Sequence, residues 1–161
     1  MGFFKNLFAS HSDVLYSPVS GTSISVTKVP DATISEGLMG KGIAIVPTDG
    51  RIFAPCDATV DAMFKTGHAV SLSAANGAEI LIHIGLETVR LQGRYFTVHC
   101  NSGDSVKKGD LLIEFDRVAI ENEGFNTITT ILVCNSNQYT VFKTNPGKRV
   151  TNHSVVIKLA R

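Results

Sequence analysis

Two histidines in aliphatic surroundings are the residues of this chain whose types and spacing suggest chemistry. His83 lies in Gly77-Ala-Glu-Ile-Leu-Ile-His83-Ile-Gly-Leu-Glu-Thr-Val89, and His68 lies in Phe64-Lys-Thr-Gly-His68-Ala-Val-Ser-Leu72. A neutral imidazole has one nitrogen with a free lone pair and one that donates a proton. Two such rings on an apolar surface suit the carriage of a phosphoryl group, because one attacks phosphorus while its neighbour stabilises the phosphoryl oxygens.

Both segments are predicted to be β-strands, and if they are neighbours their imidazoles meet on one face. Aliphatic and β-branched residues dominate them, and Gly or Asn-Gly brackets them. Alternation along residues 79–84 puts Leu81 and His83 on one face and the three isoleucines on the other. Thr66 is predicted on the same strand face as His68, where its hydroxyl selects the tautomer of that ring.

The remaining pattern predicts an all-β domain, because short apolar segments alternate with turns such as Asn76-Gly77 and Asn145-Pro146-Gly147. Similar turn-then-strand units favour a compact antiparallel sandwich or barrel-like fold with a duplicated half-barrel motif. Helix is confined to short turns near residues 35–39 and 117–123. The predicted strands are 15–18, 22–29, 43–47, 51–54, 59–64, 69–73, 79–84, 93–99, 111–115, 127–133, 141–143 and 155–159.

The length of 161 residues and the hydrophobic content of 43% are typical of one globular domain, predicted over residues 15–161. Residues 1–14 form a short amphipathic or flexible segment. Within residues 1–10, four apolar side chains fall on one helical face, which is typical either of weak contact with a membrane surface or of a loosely packed terminus.

Composition and missing motifs exclude several classes of function. A net charge of +1 with scattered lysines and arginines gives no support for nucleic-acid binding. Three cysteines without Cys-x-x-Cys argue against a disulfide framework and favour a cytoplasmic protein. No phosphate-binding glycine loop, serine nucleophile elbow or metal-binding histidine motif is present, so we expect neither a cofactor nor a metal.

The run around His83 resembles the signature of the glucose-type IIA proteins of the bacterial phosphoenolpyruvate-dependent sugar phosphotransferase system. The resemblance covers roughly residues 15–160. The other segments that carry it are Pro18-Val-Ser-Gly21, Val29-Pro-Asp31, Met39-Gly-Lys-Gly-Ile-Ala-Ile-Val-Pro47, Ala54-Pro55, Thr66-Gly-His68-Ala69 and Gly109-Asp-Leu-Leu-Ile-Glu-Phe-Asp116.

This resemblance implies a β-sandwich phosphotransferase component that acts in sugar transport only together with partner proteins. It implies that His83 accepts a phosphoryl group from the phosphocarrier protein HPr and passes it to a cysteine of the IIB domain of a sugar permease. His68 would stabilise the phosphoryl group and Thr66 would orient His68. The protein would work in the cytoplasm, and it would lie at the inner face of the membrane only if residues 1–10 contact a lipid surface.

The resemblance also implies a partner-binding rim. Its apolar members would be Ile34, Met39, Phe64 and Leu81, and its acidic members, which face a basic HPr surface, would be Asp31 and Glu87. The chain departs from the glucose-specific pattern at Gly67, at Arg90 and at Arg94-Tyr95. Because Arg90 stands where such members often carry an acid, these changes bear on partner preference. The Leu86-Glu87 pair is more similar to the β-glucoside, sucrose or N-acetylglucosamine branch.

Two alternatives stay open at this point. One is a regulatory binding module that docks on target proteins according to its phosphorylation state, through the same face. The other is a zinc-dependent hydrolase built on His68 and His83, which would need a third ligand that the sequence does not identify.

Overall fold

The computed structural model describes residues 13–161, and β-strands account for most of their regular structure. The helices in this range are short: α1 is Ala32–Ser35 and α2 is Arg117–Asn122, and single 3-10 turns span Val26–Lys28, Thr88–Leu91 and Ser136–Gln138. The strands are β1 Val14–Tyr16, β2 Gly21–Ser25, β3 Lys41–Pro47, β4 Arg51–Phe53, β5 Ala58–Met63, β6 Ala69–Ala74, β7 Glu79–Ile84, β8 Phe96–Val98, β9 Ser105–Val106, β10 Leu111–Phe115, β11 Thr129–Val133, β12 Val141–Thr144, β13 Arg149–Val150 and β14 Val155–Ala160.

The strands form one large sheet and two small ones. The large sheet has eight strands in the order β13-β2-β3-β11-β7-β6-β5-β9, and the small sheets have the orders β1-β14-β12 and β4-β10-β8. Every pairing is antiparallel. The prediction of an all-β antiparallel fold with short helical turns is therefore confirmed.

β7 lies inside the large sheet, between β6 and β11, and its two faces differ. Ile80, Ile82 and Ile84 are buried in the main core, whereas Leu81 and His83 lie on the outer face and are partly exposed. The predicted alternation along this strand is therefore confirmed. The pairing of β6 with β7, which sets Ala69 opposite His83, confirms that the two histidine segments are neighbours.

A second, smaller apolar cluster covers part of the outer face beside His83. It consists of Val29, Ile34, Ala44, Ile128 and Leu132, with Ile24, Val26 and Leu86 packed against it. Val29 and Ile34 of this cluster come from the segment around α1. Asp31 caps this helix by accepting a hydrogen bond from Thr33 N at 3.0 Å. This cluster forms a wall next to the outer-face residues of β7.

Three predicted elements have bounds that differ by three residues or more from those in the structure. The helix predicted at 35–39 was placed too late, because the cap at Asp31 starts α1 at Ala32 and the helix ends at Ser35. The strand predicted at 22–29 ends at Ser25, whose hydroxyl accepts from Thr27 N at 3.3 Å and starts a 3-10 turn. The strand predicted at 93–99 is shortened because Tyr95, at φ +76°, precedes it in a left-handed conformation.

The prediction that Thr66 and His68 lie on a strand is wrong. β5 ends at Met63 and β6 begins at Ala69, so both side chains belong to the turn between them. Gly67 has φ +73°, which extended strand residues do not adopt. The predicted amphipathic segment at 1–10 lies outside the described residues. Within residues 13–161, no helix has the length and apolar character needed to cross a membrane.

Gly85 makes the turn at the end of β7 and needs to be glycine. It has φ +75°, and its N–H donates to Ile128 O at 2.9 Å. A Cβ at this position would lie 2.5 Å from Thr88 Cγ2 and 2.7 Å from Asn126 O. Both the backbone conformation and the crowding therefore exclude a side chain two residues after His83.

We predict that Gly85→Ala lowers the free energy of unfolding by about 3 kcal/mol, because left-handed strain adds to steric overlap. Gly147→Ala is the matched control, since Gly147 has φ +78° and a Cβ added there would have no neighbouring atom within 4 Å. The control should lose only the backbone contribution, about 1 kcal/mol. Denaturant unfolding of both variants measures the difference, and equal losses would contradict this account of Gly85.

Candidate functional site

His68 and His83 lie against each other on the outer face of the large sheet. Their ring centroids are 5.2 Å apart and their planes meet at 82°. The Phe64 ring stands edge-on to His68 at 5.4 Å. His83 comes from the end of β7 and His68 from the turn before β6, so the β6–β7 pairing brings the two rings together.

Each ring is held through its Nδ1 atom. His83 Nδ1 lies 2.8 Å from Gly85 O, and because a carbonyl only accepts, the proton of a neutral His83 ring resides on Nδ1. His83 Nε2 is then left with its lone pair. His68 Nδ1 lies 2.5 Å from Thr66 Oγ1. When the Thr66 hydroxyl donates to Nδ1, the neutral His68 ring presents an N–H at Nε2.

Both imidazoles are biased toward the neutral form. Burial lowers the pKa of His68 to about 4, and the neighbouring His83 contributes in the same direction. Burial also lowers the pKa of His83, although the Gly85 carbonyl and the Asp31 carboxylate oppose that effect. At neutral pH the site therefore offers one nucleophilic nitrogen on His83 and a neutral hydrogen-bonding ring on His68.

Two of the predicted apolar rim residues lie beside this pair. Phe64, whose ring stands against His68, keeps 42% of its surface exposed, and Leu81 is half-buried on the same face as His83. Met39 is 37% exposed and precedes β3. Ile34, the fourth predicted apolar rim residue, is only 5% exposed and belongs to the wall cluster. Such a border limits the access of water to a group held on His83.

Two acidic side chains and an arginine lie in the segments that cap α1 and follow β7. Asp31 is half-buried at the start of α1, and Glu87 is exposed at φ +58°, where the 3-10 turn 88–91 begins. Glu87 and Arg90 line a cavity of about 410 Å³ together with Pro30. Arg90 is exposed, and its guanidinium lies 5.8 Å from the centre of the Phe125 ring.

Two features of the site were not predicted from the sequence. The carbonyl of Gly85 was not identified as the acceptor that orients His83. Thr130, which pairs with His83 across β11 and β7, was not assigned to the site. Every residue of β11 is buried, so alternation in the sequence does not reveal which face Thr130 takes. Within residues 13–161, no three His, Cys, Asp or Glu side chains gather as a metal site would require.

Comparison with known proteins identifies the family. The model of the family described as "phosphoenolpyruvate-dependent sugar phosphotransferase system, EIIA 1" matches residues 13–139. The chain belongs to this EIIA family.

EIIA relatives occur both alone and fused. The chain is 51% identical over 134 residues to a β-glucoside-specific EIIBCA component of Dickeya chrysanthemi, and the match covers 83% of this chain and 21% of that protein. The chain therefore spans about a fifth of the length of that relative. It is 37% identical over 158 residues to a glucose-specific EIIA component of Bacillus cereus, and that match covers 96% of both chains.

A solved structure also supports the fold. Glucose permease IIA from Mycoplasma capricolum matches with a TM-score of 0.78 and 28% sequence identity. The match covers 89% of this chain and 93% of that one. The sandwich architecture of this EIIA chain is thus shared with that IIA protein.

The lowered pKa of His68 predicts a defined acid sensitivity. The unfolded chain takes up the proton first as the pH falls below about 6.5, so stability is retained above that pH and lost as the pH falls toward 4. Between pH 7 and pH 4.5 the titration of His68 should lower the free energy of unfolding of the wild-type protein by roughly 2 kcal/mol. The His68→Gln variant should not show this decrease in stability. The control variant His153→Gln, which alters an exposed histidine, should show the same decrease as the wild type. Denaturant unfolding at the two pH values measures it, and identical losses in all three proteins would contradict the burial of a neutral His68.

Proposed function

We propose that the chain is a phosphocarrier in which His83 Nε2 accepts a phosphoryl group from phospho-HPr and passes it to a cysteine of a IIB domain. The observation that carries this proposal is the hydrogen bond of 2.8 Å between His83 Nδ1 and Gly85 O. Because it keeps the proton on Nδ1, it makes Nε2 the nucleophile of a neutral ring.

The transfer balances without a cofactor. As the lone pair of His83 Nε2 forms a bond to phosphorus, the phosphorus–nitrogen bond to the histidine of HPr breaks, and that ring recovers its electron pair. In the second step a cysteine sulfur of IIB forms a bond to phosphorus and His83 Nε2 leaves with its pair. Such transfers are accelerated by positioning and by stabilisation of the charge on the phosphoryl oxygens.

His68 supplies that stabilisation in this proposal. Its ring is 5.2 Å from the His83 ring, centre to centre, which leaves room for hydrogen bonding through a group on Nε2. The contact of 2.5 Å with Thr66 fixes the orientation of His68. The low pKa of His68, caused first by burial, keeps the ring neutral, so it acts as a hydrogen-bond donor rather than as a fixed cation.

The relatives support the choice of partner. The relative that is 51% identical is named as an EIIBCA component, which supports a IIB domain as the acceptor. Its β-glucoside specificity makes a β-glucoside permease the first IIB domain to test. HPr is the donor that the system implies, and the border of Met39, Phe64 and Leu81 with the carboxylates of Asp31 and Glu87 is the surface on which we expect both partners to dock.

We predict that incubation with phosphoenolpyruvate, enzyme I and HPr adds one phosphoryl group to His83. The bond should be labile in acid and stable in base, since it is a phosphoramidate. Peptide mass spectrometry under basic conditions locates the group. His83→Gln should take up none, whereas His153→Gln, which alters an exposed histidine in the turn before β14, should be labelled like the wild type. A phosphoryl group on His68 or on a serine would contradict the assignment.

We predict that Asp31→Asn slows phosphorylation by HPr, and that the effect is largest at low salt. Charges at the edge of an interface steer association, and salt screens them. Asparagine is also a good helix N-cap, so α1 should persist. The control is Asp104→Asn, which removes an exposed carboxylate from the turn before β9, an edge strand of the large sheet. Equal rates for Asp31→Asn and wild type across a salt series would show that Asp31 is not part of the docking surface.

A further inference from the structure

The hydroxyl of Thr130 is buried with no hydrogen-bond partner in the part of the chain that the structure describes. The residue is 1% exposed, and its Oγ1 atom is shielded from solvent. Tyr139 has the other hydroxyl of this kind in the same range. Buried polar groups are nearly always paired, because an unpaired hydroxyl loses its hydrogen bonds to water without replacement. A buried hydroxyl without a partner therefore suggests that it forms its hydrogen bond when a further group is bound nearby.

The register of the large sheet places this hydroxyl beside His83. Thr130 is directly opposite His83 in the β11–β7 pairing and opposite Ala44 in the β11–β3 pairing. On the other side of His83, the directly opposed residue is Ala69. Directly opposed residues in antiparallel strands share a face and have Cβ atoms about 5 Å apart. His83 is thus flanked on the sheet by one hydroxyl and one methyl group.

The two polar neighbours of His83 approach it from opposite sides. His68 precedes Ala69 and comes from the β6 side, whereas Thr130 comes from the β11 side. Ile128 and Leu132, which lie two residues before and after Thr130 on the same face, belong to the wall cluster. An apolar surface therefore encloses the Thr130 side chain. Water does not compete for the hydroxyl in such a place, and a hydrogen bond to a charged oxygen is strongest where water is excluded.

We propose that Thr130 is a further catalytic residue of this site, whose hydroxyl donates a hydrogen bond to an oxygen of the phosphoryl group carried by His83. This inference rests on the proposed function, because it concerns the phosphorylated state. No bond to phosphorus involves Thr130. The hydroxyl rotates to donate its proton to the arriving oxygen, and the phosphoryl group is then held by His68 on one side and by Thr130 on the other.

Thr130→Val tests the proposal, because valine keeps the branched shape and removes the hydroxyl. The rate of His83 phosphorylation by phospho-HPr should fall about tenfold, as expected for loss of a hydrogen bond to a charged group. The ³¹P chemical shift of the phosphohistidine should also move. Thr130→Ser should restore both quantities toward wild type. The matched control is Tyr139→Phe, which removes the other unpaired buried hydroxyl and should leave both unchanged.

Thermal unfolding of the unphosphorylated variants separates this role from a structural one. Thr130→Val should melt at the same temperature as the wild type or higher, since it removes an unpaired polar group. A lower melting temperature together with a wild-type ³¹P shift would overturn the proposal in favour of a purely structural threonine. If wild-type protein is phosphorylated on His83 and Thr130→Val matches it in rate and shift, this inference alone fails. If the wild type takes no phosphoryl group on His83, the proposed function fails as well.

Discussion

The register of β7 between β6 and β11 is the constraint on which the rest of the site depends. With Ile80, Ile82 and Ile84 in the core, His83 has to lie on the outer face, and a slip of one residue would exchange the two sets. The same register sets Thr130 directly opposite His83. Burial of three isoleucines in the core thus fixes the position of a polar ring that makes no contribution to that core.

Burial also determines the chemistry of the pair. An exposed imidazole near neutral pH is partly cationic and lacks a free lone pair in that form. Here burial lowers the pKa of both rings, and the Gly85 carbonyl fixes which nitrogen of His83 keeps the proton. The positive φ of Gly85 turns the chain immediately after His83, so that this carbonyl meets the ring of the residue two positions earlier. A backbone turn and an apolar wall therefore leave His83 neutral and oriented, with the lone pair of its Nε2 atom free.

Much of this arrangement could be predicted from the sequence, and the missing parts have a physical reason. Strict alternation in 79–84 predicted the two faces of β7, because its inner face is uniformly aliphatic and its outer face is not. The helix predicted at 35–39 was misplaced, because the side chain of Asp31 caps the helix and starts it at Ala32. Thr130 could not be assigned to the site, because β11 is buried on both faces and only its pairing with β7 reveals where its hydroxyl lies. The role of Gly85 depends on a carbonyl, which no side-chain pattern encodes.

The central claim is that neutral His83 carries its proton on Nδ1 and reacts through Nε2. Two-bond ¹H–¹⁵N correlation spectra of the imidazole rings at pH 7, recorded before and after phosphorylation, test it most directly. We expect a protonated Nδ1 and an unprotonated Nε2 for His83 in the free protein, and ³¹P coupling to Nε2 after phosphorylation. A cationic His83 at pH 7, the opposite tautomer, or coupling of ³¹P to Nδ1 would contradict the claim.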